Sequence, residues 1–107
     1  MPSARAIGGI RRSRPLSEIA IECSPADGGW LASVTVTDHG SSREFKVAVS
    51  AGELSRLDPT SPDPTDLLRR SFEFLLAREP KESILRSFGL SVIARYFPEY
   101  DRVIHGG

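Results

Sequence analysis

The chain reads as one α+β domain, a three-stranded antiparallel meander followed by and packed against three to four helices. Two patterns predict this. Between residues 19 and 49, apolar and polar side chains alternate with period two in three short runs separated by turn residues. From residue 50 onward the apolar residues recur at helical spacing instead. At 107 residues the chain has the length of one domain, enough to bury a single core. Composition divides it into a disordered basic tail over residues 1–15, the domain over residues 16–101 and a frayed end over residues 102–107.

The first run alternates Ile19, Ile21 and Cys23 with Glu18, Ala20 and Glu22, as a strand with one dry and one wet face requires. Ser24-Pro25-Ala26-Asp27-Gly28-Gly29 is dense in turn chemistry. In the second run Trp30, Ala32, Val34 and Val36 point one way, and Ser33, Thr35 and Thr37 the other. Asp38-His39-Gly40-Ser41-Ser42 makes the next turn, and Phe45, Val47 and Val49 form the apolar side of the third run.

Ser50-Ala51-Gly52-Glu53 has capping-box spacing and opens a short helix carrying Leu54 and Leu57. Three prolines between residues 58 and 64 forbid regular structure there, because each removes a donor and restricts its predecessor. Asp63-Pro64-Thr65-Asp66 then starts the strongest helix, with Asp63 as cap and Leu68, Phe72, Leu75 and Leu76 along its dry stripe. Pro80 stops or kinks it. Residues 80–88 are expected to form a further short helix closed by Gly89, and residues 90–97 the last one before Pro98.

Charge excludes some functions. Fourteen basic and fourteen acidic residues cancel, so the molecule as a whole has no field that attracts nucleic acid or anionic lipid. Arg5, Arg11, Arg12 and Arg14 concentrate in the tail, which reads as a solvated terminus. No apolar run approaches the roughly 20 residues that span a bilayer, and the 6–10 run is too short and glycine-rich for a signal-peptide core. With one cysteine, Cys23, no intrachain disulfide forms, and a cytoplasmic protein is expected.

No catalytic, cofactor-binding or metal-ligating constellation is apparent. Asp38, His39 and Ser41 contain triad chemistry, but residues of one tight turn do not place a base between nucleophile and orienter. His39, His105 and Cys23 lack metal spacing, and Cys23 suits a small buried side chain. Gly28-Gly29 leads into a strand, so it offers no helix N-terminus to a phosphate. A terminal Gly106-Gly107 resembles the tail of ubiquitin-like modifiers, although those place a strand before it, where a helix and a proline stand here. The corner Phe88-Gly89-Leu90-Ser91 is similar to that of a helix-turn-helix. Arg95, however, stands where that motif buries an apolar residue.

The segments Phe74-Leu75-Leu76-Ala77-Arg78-Glu79-Pro80-Lys81-Glu82-Ser83-Ile84-Leu85 and Arg95-Tyr96-Phe97-Pro98-Glu99-Tyr100, with the Asp27-Gly28-Gly29-Trp30 turn, resemble a group of small uncharacterised prokaryotic proteins. That resemblance spans most of residues 19–101 and implies a prokaryotic, cytoplasmic, stand-alone domain, with no activity attached. The hairpin is also similar to that of antitoxins with a partial ribonuclease-H-like sheet. Those place a strand after their helix, and no fourth strand is predicted here.

Two functional expectations follow. The first is a non-enzymatic interaction or regulatory module, working through a protein partner or self-association, with Trp30, Tyr96 and Tyr100 as its aromatic anchors. The alternative is a nucleic-acid-binding regulator that uses the 82–97 corner with Arg69, Arg70, Arg86 and Arg95.

Overall fold

A computed structural model describes residues 18–106. The basic segment 1–15, Gly107 and the side chain of His105 lie outside the described residues. The chain runs through β1 (Glu18–Ala26), β2 (Gly29–Asp38), β3 (Ser41–Ser50), α1 (Ala51–Leu57) and α2 (Thr65–Leu76). A 3₁₀ turn (Lys81–Ser83), β4 (Ser87–Gly89), α3 (Ser91–Tyr96) and α4 (Tyr100–Gly106) complete it. The sheet order is β1-β2-β3-β4, the first three strands antiparallel and the last parallel to β3.

Alternation decides which face of the sheet is covered. Ala32, Val34 and Val36 of β2 and Phe45, Val47 and Val49 of β3 are buried under the helices, flanked by half-buried Ile19, Ile21 and Cys23. Leu67, Leu68, Phe72 and Leu75 of α2 form the opposing layer, and the Phe72 ring packs 5.2 Å from that of Phe45. Cys23 is half-buried, its Sγ 3.5 Å from the Thr65 hydroxyl.

Each hairpin turn is two residues long, so the turn predicted over residues 24–29 shrinks to Asp27-Gly28. His39 and Gly40 take φ values of 48° and 79°, the pair of positive angles that matches the twist of the flanking strands. Gly29 is required for another reason: a Cβ there would lie 2.0 Å from the Val49 carbonyl oxygen. That close approach lets the Ala51 N–H donate to the Gly28 carbonyl at 2.8 Å, tying the first hairpin to the start of α1.

The predicted capping box forms. The Glu53 N–H donates to Ser50 Oγ at 3.0 Å and the Ser50 N–H to Glu53 Oε1 at 2.8 Å, an arrangement that stabilises a helix start by about 1 kcal/mol. Asp63 accepts the Thr65 N–H at 2.9 Å, and that bond, helped by the Thr65 hydroxyl, holds its carboxyl below the ordinary range.

Three expectations are corrected. Residues 80–88 are not a helix: Pro80 is extended, a single 3₁₀ turn follows, and Ser87–Gly89 adds a fourth strand to the predicted three. The outer edge of β3 explains this. A helix there would leave the Lys46 N–H and Ala48 carbonyl unpaired; instead they bond the Arg86 carbonyl at 2.8 Å and the Leu90 N–H at 2.9 Å. A strand therefore does follow α2, so that departure from the antitoxin pattern does not hold.

The same change removes the helix-turn-helix at 82–97, because a strand and not a helix precedes the Gly89 corner. Finally, the chain does not fray from residue 102. α4 runs to Gly106, and Tyr100 and Ile104 plug it into the core at 1% and 3% exposure.

Candidate functional site

An apolar concavity on the described surface lies between residues 84–88 and α3, a groove of about 270 Å³. Leu75, Ile84, Phe88 and Val92 line it, with Leu85 and Tyr96 at its margins. Its walls are held from beneath. Phe88 packs on Phe72 at a centroid distance of 6.2 Å, and Phe97 meets Phe74 edge-on at 5.8 Å. Phe74 is fixed in turn by Arg78, whose guanidinium sits 3.6 Å above the ring and pairs with Glu99 at 3.2 Å.

The margins are exposed. Leu85 is 50% and Tyr96 67% exposed, two of the four large apolar side chains so exposed among the described residues. Both face one groove.

A second, polar cleft of about 400 Å³ lies where the His39-Gly40 turn meets the 3₁₀ turn. Lys81 is buried there to 3% exposure, and its ammonium donates to Asp38 Oδ1 and pairs with Glu82 at 3.0 Å. The Asp38 hydrogen bond, then that to Glu82, raises the Lys81 pKa against the opposing effect of burial. An amine held protonated is no nucleophile. Lys81 instead fastens the 3₁₀ turn to the hairpin. Ser41 Oγ, from the same turn, approaches the Asp38 carbonyl at 3.5 Å, a contact within the hairpin.

The predicted anchors separate on folding. Tyr96 stands at the groove margin. Trp30 is half-buried in another depression beside Ala48 and Ser50. Tyr100 is no surface anchor. Its ring lies in the core against Phe74, at 5.3 Å, and its hydroxyl is 2.7 Å from Ser71 Oγ. Since Ser71 spends its single proton on the Leu67 carbonyl, at 2.7 Å, the Tyr100 hydroxyl is the donor to Ser71. Burial pushes the Tyr100 pKa up to about 12.

The four arginines also divide. Arg69 donates to the Ile19 carbonyl at 2.9 Å. Arg70 joins Asp58 at 3.0 Å, Asp66 at 3.2 Å and the Ile104 carbonyl at 2.9 Å, so it staples the proline loop and α4 to α2. Both serve the fold. Arg86 and Arg95 are exposed and form no ion pair among the described residues.

No known protein family, curated protein or solved structure matches the chain. Among the described residues no group of three or more His, Cys, Asp or Glu is placed to hold a metal ion, and no helix is long and apolar enough to cross a membrane.

Sequence reasoning missed Leu85, Phe88 and Lys81. Leu85 and Phe88 fall in the short helix expected over residues 80–88, where Ile84, Leu85 and Phe88 fit i, i+1 and i+4 spacing equally well. Ser87-Phe88-Gly89 is too short for alternation to register. Lys81 carried no signal, because its burial depends on an aspartate 43 positions away.

Proposed function

We propose that this domain is a non-enzymatic protein-interaction module that docks its partner in the groove between residues 84–88 and α3. One observation carries the reading: Leu85 and Tyr96 stay exposed at the margins of a single apolar groove whose floor is braced by core aromatics. A side chain held out of the core beside a rigid apolar recess loses little on binding and has much surface to bury. The nucleic-acid alternative retains Arg86 and Arg95 but loses Arg69 and Arg70 to structural bonds and loses the helix expected before its corner.

The test is site-specific photocrosslinking of the full chain in its native cell. A benzophenone side chain replacing Tyr96 should give discrete protein adducts. The same group replacing Glu73, on the exposed side of α2, should not. Equal or absent adducts at the two positions overturn the assignment.

A further inference from the structure

Beside the groove, the sheet ends in an open edge. The Lys46 N–H bonds the Arg86 carbonyl and the Leu90 N–H bonds the Ala48 carbonyl, so the peptide groups of alternate residues 86, 88 and 90 turn toward β3. Those of Ser87 and Gly89 therefore turn away from it. No hydrogen bond reaches them among the described residues. The opposite edge is obstructed: Arg69 caps the Ile19 carbonyl, Pro25 offers no N–H, and Glu18 and Glu22 add charge.

Resting on the docking reading above, we propose that the occupant of the groove is an extended segment of another protein, which adds a strand to the outer edge of β4. The edge determines the conformation of that segment. Donors and acceptors at β-strand spacing are matched by an extended backbone and not by a helix, whose own amides are used internally. The groove determines its side chains, because an added strand turns every second residue toward the helical layer, where Leu85, Phe88, Val92 and Tyr96 meet an apolar group.

Charge determines its surroundings. Arg86 and Arg95 follow Leu85 and precede Tyr96 in the chain, and both are exposed without an ion pair among the described residues. Asp or Glu next to the apolar residues of the ligand complements them. A second copy of this chain does not, since a self-complementary contact doubles the unpaired arginines.

The experiment is selection of random linear peptides displayed on phage against the full chain, with counter-selection on the Leu85→Asp, Tyr96→Asp double variant. Both positions are exposed, so that variant should keep the far-ultraviolet circular dichroism of the parent. Selected peptides should show large apolar residues at alternate positions beside Asp or Glu. Tyr96→Ala and Leu85→Ala should each weaken binding about tenfold or more, and Arg86→Glu with Arg95→Glu should weaken it further. N-methylation of the peptide amides, one at a time, should abolish binding at every second position and spare those between.

Selected peptides with helical anchor spacing, or indifference to N-methylation, would overturn strand addition. If photocrosslinks at position 96 persist in that case, docking stands and only the extended occupant falls. Failure to enrich any peptide over the double variant rejects the extended ligand as well, and absence of adducts at position 96 removes both readings together.

Discussion

Tyr100 shows how one side chain can serve two layers at once. Its ring fills the core and its hydroxyl completes a chain of two hydrogen bonds through Ser71 to the Leu67 carbonyl. The pKa of about 12, against an ordinary value of 10.0, makes stability depend on pH in a stated direction. Below pH 10 the phenol is protonated whether folded or unfolded, and its contribution is fully present. Between pH 10 and 12 the unfolded chain loses the proton while the folded one keeps it, so stability falls by roughly 1.4 kcal/mol per pH unit, levelling off above the folded pKa. Urea unfolding at successive pH values should show that fall, and Tyr100→Phe should flatten it at the cost of about 1 kcal/mol at neutral pH. An unchanged slope in the variant would place the alkaline sensitivity elsewhere.

β4 is the element on which the functional reading turns, and it is only three residues long. Such a strand has little propensity of its own; it exists because β3 offers an edge and Phe88 fills a place between Phe72 and the groove. Its two sides should behave differently. In hydrogen exchange the Phe88 and Leu90 amides, turned toward β3, should be protected, while those of Ser87 and Gly89 exchange at rates close to an open chain. Protection at all four would mean that the outer edge is already paired. By contrast, α1 and α2 rest on local devices, a capping box and a wide apolar stripe, and do not depend on the sheet for their limits.

The whole molecule is two layers closed by a plug. α4 is the last element to return, and it does so through Tyr100 and Ile104 in the core, Arg56 to Asp101 at 2.7 Å and Arg70 to the Ile104 carbonyl. The exposed ion pair contributes little by itself; burial dominates. A chain ended after Glu99 should lose roughly 1.5–3 kcal/mol for each of the two buried side chains. A lower midpoint in chemical denaturation would read that loss, whereas an unchanged midpoint would mean α4 is an ornament. The same truncation leaves the groove lining in the chain, so any loss of binding on truncation would report its support by α4.

Much of this fold was legible from local pattern. Period-two alternation over residues 19–49 and the Ser50-Glu53 cap are written in neighbours a few positions apart, and a strand face or helix start needs nothing more distant. What tertiary structure alone decided are the features that depend on remote partners. Lys81 is buried because Asp38 waits for it, Tyr100 leaves the surface because Ser71 accepts its hydrogen bond, and residues 87–89 are extended because β3 has an edge to pair. Helical and extended spacing were equally available to Ile84, Leu85 and Phe88. The hydrogen-bonding demand of a strand some forty residues earlier chose between them, and that choice put Leu85 and Tyr96 around one groove.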